Sequence, residues 1–255
     1  MVNPMSNSSP SISLAPKKIL KILLSIISLL TLLNIYALYL RFFPERYRVY
    51  SALHELILDI YIDRFSMNTE MNIPTYFSTL ILLFASCLLF VIAKRKKAQR
   101  DRFRIHWAGL GWILLLFSID EFTAMHERLS KLFKAFPDFN GLFFFKWVIP
   151  GIIFVALFAL LYFLFFLHLE GKYKLLFLAS AMLFFGGALG FEIIGGRFAN
   201  YNDTRNFSFQ MIATVEEVLE MVGVSLLIYS LLDYMKGFFT QIKLDLEEQA
   251  SADTR

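Results

Sequence analysis

The sequence predicts an all-α, polytopic membrane protein with six transmembrane helices and both termini on the cytoplasmic side. Three observations predict it. Of 255 residues, 57% are hydrophobic and only 18% charged, an apolar excess that a soluble domain could not hide and lipid can solvate. Apolar runs of about twenty residues, enough to cross a hydrocarbon core, recur along the chain. The basic residues gather beside those runs, most densely between Lys94 and Arg104, where seven of them accompany one acid, Asp101. A loop so rich in Lys and Arg stays cytoplasmic. The net charge of +4 is therefore an orientation signal and not a nucleic-acid footprint. Cys87, the single cysteine, sits in an apolar run, which excludes a disulfide framework and a multi-cysteine metal site.

Residues 1–16 are rich in Ser, Asn and Pro and read as a disordered tail. Lys17, Lys18 and Lys21 then open a first apolar run that ends near Leu40. It exceeds the roughly 7–15 residues of a signal-peptide core and lacks a small-residue cleavage site, so it reads as an uncleaved span. In the connection that follows, residues 50–65 place Leu53, Leu56, Ile57, Ile60 and Tyr61 on one helical face. Glu55, Asp59 and Asp63 lie largely opposite, the pattern of a helix in the membrane interface. Asn72 as N-cap and Pro74 in the first turn start the second span, expected from Ile73 to Ala93.

The third span starts near Ile105 and runs outward into Ser118–Arg128. Pro137 to Gly141 marks an outer turn, and the fourth span is expected from Trp147 to Leu167. Glu170-Gly171-Lys172 turns the chain into a fifth, glycine-rich span, Tyr173 to Gly196. The sixth is expected from Phe207 to Tyr234, which closes a six-helix domain over 17–235 and leaves 236–255 as a polar cytoplasmic tail. No internal repeat is visible, which argues against an inverted-repeat transporter.

Against this apolar background the acids stand out, because ionisable groups at membrane depth are costly and mark function by default. Asp120 and Glu121 end the third span, Glu192 lies late in the fifth, and Glu216, Glu217 and Glu220 lie early in the sixth. With the spans alternating in direction, all of them fall at the extracytoplasmic side, as do Glu70 and Asn72 at the mouth of the second. At about 100° per residue, Asp120, Ala124 and Glu127 share a face, with Glu121 and Arg128 on its flank. Glu216, Glu217 and Glu220 cover one arc of the sixth span, with Ala213 and Gly223 on the same side. Gly186-x-x-x-Gly190 is a small-residue pattern that lets helices approach. His54, His106 and His168 read as structural.

Few counter-charges accompany these acids: Arg128, Arg197 and His126. Carboxylates at low dielectric bind a cation, bind protons or open onto water. A divalent metal is the expected cofactor, Mg²⁺, Mn²⁺ or Ca²⁺ on oxygen ligands, or Zn²⁺ if a histidine joins. Glu192, Glu216, Glu217 and Glu220, with Asp120 and Glu121, are the candidate ligands. Asp120, Glu121 and His126 are candidate acid–base groups. Glu70, Asn72, Glu127, Arg128 and Arg197 are candidate supports.

Glu70-x-Asn72-x-Pro74-Thr75, Asp120-Glu121 with His126-Glu127, and Glu216-Glu217-x-x-Glu220-Met221 together resemble a group of uncharacterised bacterial multi-pass membrane proteins. The resemblance spans most of the chain and implies a bacterial inner-membrane protein, but no activity. The ceramidase-and-progestin-receptor-like membrane hydrolases make a contrast, since this chain has no His-x-x-x-His for their zinc. The leading expectation is a metal-dependent enzyme acting on a lipid or lipid-linked group at the outer leaflet, with no nucleic-acid partner. A cation- or proton-coupled transporter or channel is the rival, and a non-catalytic sensor or assembly factor the third reading.

Overall fold

The computed structural model describes residues 15–125, 144–199 and 204–252, with side chains through Gly237. Among them the chain is helical and contains no strand. The helices are α1 (Pro16–Phe42), α2 (Ala52–Phe65), α3 (Ile73–Ala98), α4 (Arg104–Thr123), α5 (Val148–His168), α6 (Gly171–Ala199) and α7 (Phe207–Ala252). A 3₁₀ turn, Pro44–Arg46, follows α1, and α6 contains a π-helical stretch, Gly186–Phe191. Five of the helices, α1, α3, α4, α5 and α6, are long and apolar enough to cross a membrane by length and composition. The protein is thus an all-helical membrane protein.

Local chemistry sets several of these boundaries. Pro16 and Pro74 stand in the first turns of α1 and α3, where a missing N–H costs nothing. The Asn72 side chain accepts from Thr75 N at 2.9 Å, and Ser51 caps α2 by accepting from His54 N at 3.2 Å. α2 has no buried residue; Leu53, Leu56, Ile57 and Ile60 are all exposed, so its apolar face points away from the protein.

α7 is the helix the others pack around. Met221, Val224, Ile228, Leu231 and Leu232 are buried against α1, α3 and α6. Lipid is as apolar as these side chains, so close packing and interhelical hydrogen bonds, at about 0.6 kcal/mol each, have to hold the bundle together. Both are present. Asn34 Nδ2 of α1 donates to Thr214 Oγ1 of α7 at 2.8 Å, and Asn34 Oδ1 accepts from Met67 N at 2.9 Å. Ser86 and Ser118 of α3 and α4 bond across their interface to Gly111 O and Thr79 O. At Gly223 a Cβ would lie 2.7 Å from Phe184 N, so α6 and α7 touch backbone to backbone there. Gly223 thus serves the close approach expected of it. Gly186 and Gly190 do not, since nothing lies within 4 Å of a Cβ at either; Gly187 makes the contact instead.

The opposite end of the bundle is basic and tied. Lys172 pairs with Asp233, joining α6 to α7, and Lys96 lies 3.0 Å from Asp101 and over the Tyr234 ring. Burial works to raise the Asp101 pKa, but the Phe103 N–H at 2.7 Å and the Lys96 ammonium outweigh it, holding the carboxyl below its ordinary range. His106 stacks on Phe165 at 5.7 Å and His168 lies against Phe103 at 4.8 Å, in packing roles. His54 stacks on Tyr50.

Candidate functional site

At the end of the bundle away from those basic residues, α3 to α7 surround a cavity of about 540 Å³. Seven carboxyl groups line it: Glu70, Asp120, Glu121, Glu192, Glu216, Glu217 and Glu220. No Lys, Arg or His is among its described lining residues. The rest of the wall is largely apolar, with Phe117 and Leu116 from α4, Phe154 and Val155 from α5, and Phe184 and Leu189 from α6. The cavity is therefore amphipathic, acidic over one part and aromatic over another.

Each acid has a different support. Glu70 rides on the loop before α3, which Met71 turns with a left-handed φ of 55°. Asn72 is buried under that loop, donating to Ser66 O at 2.7 Å while capping α3; it holds the rim and does not face the cavity. Asp120 and Glu121 occupy the last turn of α4, which ends at Thr123. Ala124 has a φ of 50°, and its N–H closes on Asp120 O at 2.7 Å. This corrects the expected continuation of the helical face from Asp120 to Ala124, because a left-handed residue ends the helix there. His126, Glu127 and Arg128 lie outside the described residues.

Glu192 is placed by the π-helical stretch just before it. A π turn takes in an extra residue, so everything after it is rotated by roughly a quarter of a turn from an uninterrupted α-helix. Glu192 then meets Trp147, whose indole Nε1 donates to Glu192 Oε1 at 2.9 Å. Gly187, inside the π stretch, lets α6 approach the acidic turn of α7: a Cβ there would lie 2.8 Å from Glu216 O and 2.9 Å from Glu220 Cγ. Arg197 is exposed and does not line the cavity.

The expected acids from four separate segments thus face one space. They surround it without closing on a point: among the described residues, no group of three or more His, Cys, Asp or Glu side chains is arranged to hold a metal ion. Carboxyl oxygens gathered on one cavity favour positive charge there, and low-dielectric walls strengthen the effect. The aromatic half and Trp147 were not singled out from the sequence. In a chain with 29 phenylalanines, nothing distinguishes Phe117, Phe154 or Phe184 from residues that merely face lipid.

A family model described as a domain of unknown function (DUF8692) matches residues 23–234, which takes in all seven cavity acids. No curated protein and no solved structure matches the chain.

Proposed function

The chain belongs to the DUF8692 family, and we propose that it is a membrane-embedded, metal-dependent enzyme acting on a lipid or lipid-linked substrate. In this reading α7 is the sixth span, both termini are cytoplasmic, and the cavity opens at the extracytoplasmic side of a bacterial inner membrane. The single observation that carries the proposal is the amphipathic cavity, acidic at one end of the bundle and aromatic toward its middle. A polar head with an apolar tail matches both halves at once, whereas a free ion would use only the acids.

Glu192, Glu216, Glu217 and Glu220 are the residues that would hold the cation. A cation held there would supply Lewis-acid chemistry toward a phosphoryl or carbonyl oxygen or a water. Asp120 and Glu121, at the end of a different helix, are proposed as acid–base groups. His126 is proposed as a further base. A transporter would need a polar path onward through the membrane. Below the acids the bundle is filled by Met221, Val224, Ile228, Leu231 and Trp107, all nearly fully buried, which favours a one-sided site.

The test is metal content and melting temperature of wild type and of Glu217→Gln with Glu220→Gln. Amides keep the size of the acids and remove two negative charges. If the acids bind a cation, the purified wild type retains a divalent metal and the double variant loses it. The metal-free double variant then melts at or above the metal-free wild type, because carboxylates crowded without a cation are costly. A metal-free wild type that the double substitution destabilises would overturn the metal-dependent reading.

A further inference from the structure

The apolar half of the cavity does not end inside the protein. Leu116 and Phe154 line it, yet they are 61% and 38% exposed on the flank of the bundle. They stand on α4 and α5, two helices that make no extended backbone contact with each other. α5 instead meets the bundle through side chains. Phe154 packs edge-on against Phe117 at 5.8 Å, Trp147 bonds to Glu192, and Gly151 sits under Leu189. Near its other end the Tyr162 hydroxyl reaches His106 O at 3.2 Å, so a hydrogen bond ties α4 to α5 there, while beside the cavity the two helices meet at the Phe117–Phe154 ring pair.

From this geometry we infer that the substrate is a membrane-borne amphiphile that enters sideways between α4 and α5. Its hydrocarbon chain lies across Leu116, Phe117 and Phe154 while its polar head reaches the acids. The occupant of the cleft is thus an acyl chain of the surrounding bilayer. The outer faces of both helices are already apolar and exposed, as at Leu160 and Leu161 on α5, so the chain passes from lipid into the cavity without crossing a polar surface. Water-soluble substrates have no such need of a flank opening. The inference rests on the proposed lipid substrate, but it concerns the route and the tail rather than the chemistry at the head.

Photolabelling tests it. Full-length protein is reconstituted in phosphatidylcholine vesicles carrying a phosphatidylcholine with a diazirine in its acyl chain, irradiated, and mapped by mass spectrometry. Adducts are expected on Phe117, Phe184 and Leu189 inside the cavity, as well as on the outward Leu160 and Leu161. Leu116→Trp, at a position exposed enough to keep the fold, should lower the interior adducts severalfold and leave the outward ones unchanged. Phe154→Trp repeats the test from the facing helix. Labelling confined to Leu160 and Leu161, or interior labelling indifferent to both tryptophans, would overturn the side entrance. Metal analysis of the same samples keeps the two proposals apart: interior labelling in a metal-free protein removes the proposed chemistry and leaves the entrance standing. A metal-loaded protein without interior label does the reverse.

Discussion

Trp147 Nε1 and Glu192 Oε1 lie 2.9 Å apart, joining the start of α5 to the first residue after the π-helical stretch of α6. The bond places one wall of the cavity against one of its acids. A hydrogen bond of this kind contributes about 0.5–1.5 kcal/mol net. Trp147→Phe keeps an aromatic ring there and removes the donor. It should lower the melting temperature in detergent by several degrees and weaken metal retention, while Trp112→Phe, on the lipid-facing side of α4, should do neither. If the two variants behaved alike, the bond would have no structural role at the site.

The Asp101 ion pair gives the fold a pH signature. Asp101 has a depressed pKa in the folded protein, so its contribution is complete above the unfolded carboxyl value of about 4 and fades as pH falls through the lower folded value. Asp101→Asn should cost about 1 kcal/mol at pH 7, from the lost pair with Lys96. The difference in melting temperature between wild type and variant should stay constant from pH 8 to 5 and close below pH 4. A gap that persisted in acid would overturn the assignment of the effect to the ion pair.

What could be read from the sequence follows the range of the forces involved. Helix starts were legible where a cap and a proline coincide: Ile73 was expected to open the second span and does, because Asn72 and Pro74 act within one turn. The gathering of acids on one side needed only alternation of direction and the basic run at Lys94–Arg104. The end of α4 was not legible. Ala124 carries no local preference for a left-handed conformation, and neither glycine nor proline marks the break. The π stretch was equally hidden, since Gly186 to Phe191 is compatible with an ordinary α-helix and the wide turn depends on contact with α7. Choosing Gly186 and Gly190 as the contact glycines followed from that: the spacing assumed a regular helix, and Gly187 is the residue that faces Glu216. Trp147 could not be paired with Glu192 from the chain alone, because 45 residues separate them.

Membrane orientation has a direct test. With Cys87 replaced by serine, single cysteines at Asn68 and Lys97 report on the two ends, both positions being exposed. Asn68 lies at the acidic cavity and Lys97 in the basic last turn of α3. A membrane-impermeant maleimide added to intact cells should label Asn68→Cys at once and Lys97→Cys only after permeabilisation. The opposite pattern would put the cavity at the cytoplasmic face and remove the extracytoplasmic reading.

Gly187 separates a helix contact from a merely glycine-rich helix. A methyl group there meets backbone on one side, Glu216 O at 2.8 Å, and the Glu220 side chain at 2.9 Å on the other. Backbone oxygen cannot move aside without shifting α7, so Gly187→Ala should force the two helices apart. Overpacking of this kind costs about 1–3 kcal/mol. In a chain of this size each kcal/mol corresponds to roughly 2–4 °C in melting temperature. The same shift pulls the Glu216–Glu220 turn away from Glu192, so metal retention should fall with stability. Gly186→Ala and Gly190→Ala meet nothing within 4 Å, and alanine is the better helix former by about 1 kcal/mol in a helix interior. These two should melt at or slightly above the wild type and keep their metal. Three melting curves and three metal analyses decide the matter, and equal losses at all three positions would mean that α6 needs its glycines for the π stretch itself and not for its contact with the acids of α7.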